Sequence, residues 1–183
     1  VGLDYDGDGI VDSSTVRTGS DGSFTISTSN SNYTIIAVTD ETTIDTSSGS
    51  VLAGATLKAP AGATVVTPTT TLIEEAHLTA AQVAAVLDLP DGVDPLSFNP
   101  YAAGVNPDKA LAVEQAGQKI MSAVTAFAAA AEGAGASRAD AFEAALTAVA
   151  DVLNDKAAKA NDPNASAADK SLDLTSTANL ALI

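Results

Sequence analysis

Up to about Thr67 the chain alternates short apolar runs with Thr, Ser and Gly, and beyond that point its apolar positions recur at helical spacing in an alphabet dominated by Ala, Leu, Asp and Lys. The runs Val1–Leu3, Ser14–Thr18, Phe24–Thr28, Tyr33–Thr39 and Val51–Leu57 predict strands, because β-branched and aromatic side chains at alternate positions suit a pleated, half-buried surface. Asp21-Gly22 predicts a tight turn, since Gly accepts the positive φ that hairpin turns require. Asn30 to Asn32 and Ser47 to Gly49 mark further turns. Short strands at this spacing predict a small antiparallel β sandwich.

Helix-start signals follow. Thr67-Pro68 and Asn106-Pro107 each set a capping side chain before a proline at the first helical position, and Thr79 with Gln82 and Ser137 with Asp140 have the reciprocal capping spacing. These signals predict helices near 68–77, 80–88, 107–132, 138–160 and 167–181. The two long ones carry matching stripes, Val113, Gly117, Ile120, Val124, Phe127 and Ala131 on one, Phe142, Leu146, Val149 and Leu153 on the other. With only Gly133 to Ala136 between them, they are expected to form an antiparallel hairpin of closely approaching, alanine-rich helices, a packing that implies no pocket. The fold class is therefore α+β, with a β domain over 1–67 and a helical domain over 68–183.

Asp4, Asp6, Asp8 and Asp12 stand around Gly7 and Gly9 in the order D-x-D-x-D-G-x-x-D. Four carboxylates this close repel one another unless a hard cation lies between them, and a flexible oxygen cage suits Ca²⁺. In a twelve-position calcium loop, Asp4, Asp6 and Asp8 take positions 1, 3 and 5, Gly9 makes the sharp turn at 6, the Ile10 carbonyl serves at 7 and Asp12 at 9. The twelfth position, where a bidentate Glu closes an EF-hand, is Thr15. Predicted strands rather than helices flank the loop. Both departures argue for a structural ion of modest affinity, suited to millimolar extracellular calcium, rather than a sensor.

Composition narrows the classes. The 183 residues, 46% of them hydrophobic, suffice for one large or two small folded domains. A net charge of −15, from 23 acidic and 8 basic residues, argues against nucleic acid and anionic membrane surfaces as partners. The nearly apolar stretch from Ile120 to Ala131 is too short to cross a bilayer, so no membrane insertion is expected. Without cysteine there is no disulfide or thiol chemistry, and a zinc site would have to be built around the one histidine. The chain lacks an initiator Met and starts inside a predicted strand, which reads as a piece of something longer.

The other chemistry-bearing residues are weaker signals. His77, beside Glu74 and Glu75, could serve as a general base, yet no nucleophile motif accompanies it, and a last-turn cation is the simpler reading. Asp88, Asp91 and Asp94 around Pro90 and Gly92 lack the alternation that aims carboxylates at one ion, and read as a turn. Lys58 is the sole lysine of the β region; a cross-link to an Asn is conceivable, but a solvated lysine is the plainer expectation.

Taken in order, the run Leu3-Asp4-Tyr5-Asp6-Gly7-Asp8-Gly9, the Thr18 to Phe24 turn, the link Ala59-Pro60-Ala61-Gly62-Ala63-Thr64-Val65-Val66-Thr67-Pro68 with Thr70-Thr71-Leu72, and the Leu89–Asp94 and Phe98–Pro100 segments resemble a module of very large secreted or surface-anchored bacterial proteins. These include RTX-type adhesins with calcium-dependent repeats. The first half looks like their B-type or carboxypeptidase-regulatory-like sandwiches, the second like the alanine-rich helical segment that follows them. Such sandwiches carry a strand before the position of Val1, so the resemblance implies a β part that is incomplete or completed by a neighbouring segment. It implies a calcium-stabilised spacer or adhesion module, extracellular or at the cell surface, whose partners are neighbouring modules, and not an enzyme. Two rivals stand beside it: a module binding a surface glycan or peptide, with Tyr5 the aromatic residue near the loop, and an accessory domain of a secreted hydrolase.

Overall fold

The computed structural model describes residues 1–45 and 49–183. Three strands, β1 (Gly2–Asp4), β2 (Thr34–Val38) and β3 (Thr56–Pro60), precede six helices: α1 (Pro68–Ala76), α2 (Ala80–Val86), α3 (Pro107–Gly133), α4 (Arg138–Ala158), α5 (Ala167–Lys170) and α6 (Thr177–Leu180). The chain is thus a mixed α+β protein. Its sheet runs β1-β2-β3, antiparallel throughout, with Leu3 opposite Ile35 and Ile35 opposite Ala59. Because side chains alternate across a strand, these three share one face and form a small core of their own. Gly2, Ile36 and Lys58, the neighbouring rank, lie on the opposite face.

That opposite face meets α1, and hydroxyls make the joint. Lys58 donates its backbone N–H to Thr71 Oγ1 at 3.0 Å, and its carbonyl accepts from Thr70 Oγ1 at 2.9 Å. The edge of β3 is closed by side chains of the helix's first turn. Thr70 also completes a reciprocal cap with Thr67, and Thr70 and Thr71 are fully buried. The Lys58 ammonium reaches Glu75 of α1 at 2.6 Å and Glu143 of α4 at 3.0 Å, while Thr34 donates to Glu74 at 2.7 Å. Burial pulls the Lys58 pKa down, but the hydrogen bonds and charges of Glu75 and Glu143 outweigh it and hold the group above its ordinary value. Lys58 is therefore a largely buried ion-paired residue and not the solvated lysine of the sequence reading; its ammonium is engaged by carboxylates.

α3 and α4, joined by residues 134–137, pack on each other and with α1 and α2 enclose the main core. Leu72, Val83, Ile120, Val124, Leu146, Val149 and Leu153 are inaccessible to solvent. The stripe on α4 matches expectation at every position. On α3 only Ile120 and Val124 of the expected set are fully buried, while Val113 and Gly117 on one side of them and Phe127 and Ala131 on the other are half-buried, so the stripe is covered at its middle and opens toward both ends. All four expected caps form: Thr67, Thr79, Asn106 and Ser137 each accept from a backbone N–H two or three residues on. No helix among the described residues is long and apolar enough to cross a membrane.

Several elements differ from expectation for local reasons. Ser14–Thr18 is not a strand. Val1 and Val16 do exchange hydrogen bonds, both at 2.8 Å, but Asp12 and Ser13 then converge on the single Leu3 carbonyl and the Ser13 hydroxyl takes the Leu3 N–H. Two donors on one acceptor is the pattern of a bulge, and it ends the ladder. Phe24–Thr28 keeps the alternation of half-buried and exposed side chains without pairing to any strand among the described residues. In Val51–Leu57 only Val51, in a single bridge to Ile44, and Thr56 and Leu57, at the start of β3, are paired as strand residues. The described residues thus carry one three-stranded sheet, and the expected turn at Ser47 and Ser48 lies outside them. The helix predicted over 167–181 is two short turns, because Leu172 leaves the spiral to donate its N–H to the Val86 carbonyl at 2.8 Å and bury its side chain.

Leu146→Ala should destabilise the protein by about 2–5 kcal/mol in denaturant unfolding, whereas Phe127→Ala, half-exposed, should fall short of the ~3–5 kcal/mol of a buried phenylalanine. Equal losses would contradict this core. Thr71→Val, which keeps the side chain's shape and removes the partner of the Lys58 N–H, should cost about 1–3 kcal/mol.

Candidate metal centre

β1 delivers Asp4 to the end of the sheet with only 3% of its surface exposed, and the chain then turns through a loop in which side-chain carboxylates hold the backbone. Asp4 Oδ1 accepts from the N–H groups of Asp6 at 3.2 Å and Gly7 at 2.7 Å, and Oδ2 from Gly9 at 2.9 Å. The pattern repeats along the loop: Asp6 Oδ1 accepts from Asp8 at 3.2 Å, and Asp8 Oδ1 from Ile10 at 2.8 Å. Each is an aspartate capping the amide two residues on, which short carboxylates do readily. Gly7 and Gly9 both stand at φ +82°, where a side chain would be strained.

Three successive turns of this kind bring Asp4, Asp6 and Asp8 together, with one carboxylate oxygen of each within 4.8 Å of the others. Oxygens on one Ca²⁺, each at about 2.3–2.6 Å from the ion, can be at most about 5 Å apart, so the three fit a common ion. Ionised Asp4 offers about four acceptor positions and three are taken by amides, which leaves one for a cation. Asp12 is not drawn into this set. It accepts from the Tyr5 N–H at 2.7 Å and so ties the outgoing arm to the incoming one. Ile10, expected to lend its carbonyl, has an exposed side chain and an amide committed to Asp8.

Residues outside the motif set the loop's shape. Val11 packs directly on Gly2, where an added Cβ would lie 2.2 Å from Val11 Cγ1, so only glycine lets the arms close. Tyr5 turns inward to the small core and donates its hydroxyl to Thr28 at 3.2 Å. Neither role was visible in the sequence, although a glycine at the second position of an apolar strand was a hint of close approach.

Burial of Asp4 raises its pKa, but the amides of Gly7, Gly9 and Asp6, aided by the charge of Lys58, outweigh this and hold the carboxyl below its ordinary 3.8. The other candidates resolve into caps. His77 is exposed at φ +52° and ends α1. Asp94 accepts from the Leu96 N–H at 3.1 Å and the Ser97 hydroxyl at 2.8 Å, and the Asp91 carbonyl accepts from Lys109 at 2.6 Å. Asp88, Asp91 and Asp94 do not share one ion's reach in the described residues, where Asp4, Asp6 and Asp8 are the group that does.

No protein-family model, curated protein or solved structure matches the chain.

A carboxylate whose folded pKa lies below its unfolded value stabilises the fold above that unfolded value and ceases to do so as pH falls through the folded one. Asp4 should therefore titrate below 3.8. Carboxyl and amide NMR shifts of Asp4, Gly7 and Gly9 should move together in that window and stay constant from pH 5 to 7. An Asp4 midpoint at or above 3.8 would show that the amide bonds do not govern the site.

Proposed function

We propose that this chain is a structural spacer module of an extracellular or surface-anchored bacterial protein of the RTX adhesin type, fastened by one Ca²⁺ in the Asp4–Asp12 loop. The observation that carries the reading is the convergence of Asp4, Asp6 and Asp8 on one ion's reach through consecutive aspartate turns. Asp12 and the Ile10 carbonyl would join as the loop tightens around the ion. With no bidentate Glu to close the cage, affinity should be modest, with Kd on the order of 10⁻⁴ to 10⁻³ M. An ion that binds only the folded state adds RT ln(1 + [Ca²⁺]/Kd), about 1.4 kcal/mol at a tenfold excess over Kd.

The finer architecture belongs to the same proposal. Residues 1–67 form an incomplete sandwich, with Phe24–Thr28 lying where a second sheet would start and a neighbouring segment supplying further strands. Residues 68–183 form the helical part, with α3 and α4 as an antiparallel hairpin. The Lys58 joint makes the pair a stiff unit suited to a chain of modules. No catalysis is proposed: His77 stands exposed at a helix end, where it caps α1. A glycan- or peptide-binding role would draw on an aromatic surface beside the loop, but Tyr5 is half-buried and its hydroxyl is engaged by Thr28, so the spacer reading is preferred. The accessory-domain reading has no observation of its own here.

Calorimetric titration of Ca²⁺ into chelator-treated protein should show one site and a raised melting temperature, both abolished by Asp6→Ala or Asp8→Ala. Absence of both heat and melting shift in the unaltered chain would refute the calcium assignment.

A further inference from the structure

The segment Phe24–Thr28 is extended and alternates like a strand, with Phe24 and Ile26 half-buried and Thr25 and Ser27 exposed. Its inward side chains cover Leu3, Ile35 and Ala59, the sheet face away from α1. Yet from Phe24 to Ser27 no backbone group is paired among the described residues; the flanking bonds are turns, Gly19 N–H to the Ser23 carbonyl at 2.8 Å and Asn30 N–H to Thr28 Oγ1 at 3.0 Å. An open cleft bordered by Phe24, Ile26, Tyr33 and Ala63 runs beneath it. A segment ordered by two half-buried side chains, without ladder bonds, is the least secured cover in the sheet region and opens locally before the strands do.

Among the described residues a polar contact ties this cover to the loop after β1: the Tyr5 hydroxyl donates to Thr28 Oγ1 at 3.2 Å. Tyr5 lies inside the aspartate loop, and its N–H is held by Asp12 at 2.7 Å. We propose that Phe24–Thr28 is a strap over the apolar sheet face, latched by Tyr5, so that the order of the aspartate loop decides whether the face is covered. The latch goes beyond the spacer reading and stands on contacts within the chain. Its control by calcium rests on that reading.

The chain has no cysteine, so a single introduced thiol reports accessibility without background. Ile26→Cys places it on the covered side of the strap, and Thr25→Cys on the exposed side as control. Without calcium, the thiol at position 26 should react several-fold more slowly with a maleimide than the one at 25. Tyr5→Phe should raise the rate at 26 about threefold or more and leave that at 25 unchanged, with the circular dichroism of the helices preserved. Thr28→Val, which removes the acceptor from the strap side, should do the same and serves if Tyr5→Phe folds poorly. Equal rates at 25 and 26, or no response at 26 to either latch variant, would overturn the strap. Adding Ca²⁺ should slow the reaction at 26 when Tyr5 is present and not in Tyr5→Phe. Heat of calcium binding without that slowing would overturn control by the ion alone, and absence of heat would instead overturn the calcium reading, with the latch still judged by its calcium-free variants.

Discussion

The backbone N–H and carbonyl of Lys58 turn away from β2, and both are taken by threonine hydroxyls in the first turn of α1. A three-stranded sheet has few backbone groups in its interior and two edges that must be satisfied, and one edge here is buried against helices where water cannot serve. Thr70 and Thr71 supply the missing ladder. The Thr71 hydroxyl also donates to the Thr67 carbonyl at 2.8 Å and the Thr70 hydroxyl accepts the Thr67 N–H at 2.8 Å, so both also secure the start of α1. Sheet edge and helix cap are in this way one hydrogen-bonded unit. The Lys58 ammonium, held by carboxylates of α1 and α4, extends it to the helical layer. A lone ammonium at that depth would be costly, and pairing it with two carboxylates makes the fit of three elements mutually dependent.

What was legible in the sequence was chemistry acting within a few residues. The caps at Thr67, Thr79, Asn106 and Ser137 formed as their spacing implied, and the alternate spacing of Asp4, Asp6 and Asp8 sets their carboxylates within reach of one another. Partners far along the chain decided the rest. Alternation in Phe24–Thr28 reported which side chains are covered, but a ladder needs a second backbone that periodicity does not reveal. The helix over 167–181 broke at Leu172 because the Val86 carbonyl, 86 residues earlier in this pair, was the better acceptor. Lys58 seemed solvated because Glu75 and Glu143 belong to other elements. Asp12 fits the spacing of a ligand, and its carboxylate also holds the Tyr5 amide, a contact the spacing alone does not show.

The acidic character of the chain also takes a more ordered form than a charged surface. Asp21 with Ser23, Asp40 with Thr42 and Asp173 with Thr175 are one device, an aspartate whose carboxylate accepts both the hydroxyl and the amide of the residue two places on. In each, hydrogen bonds from that Ser or Thr hold the aspartate pKa below its usual value. The aspartate loop uses the same turn three times in succession, with Asp6, Asp8 and Ile10 in place of the hydroxyl residue. Convergence of carboxylates is thus reached by repeating a unit found singly elsewhere in the chain.

The two ties that join β3 to the helices differ in the length of chain they enclose. The threonine hydroxyls close loops of 12 and 13 residues, whereas the Lys58 bond to Glu143 spans 85. Short loops close fast and long ones slowly, since closure entropy grows with the intervening chain. A polypeptide emerging from its N-terminus can therefore seal the edge of its sheet as soon as the first helix is free, and its ammonium waits for α4 before its second carboxylate arrives. Order of appearance along the chain then becomes order of assembly: the aggregation-prone edge is shielded early, and the ionic lock between layers is the last of these bonds to close.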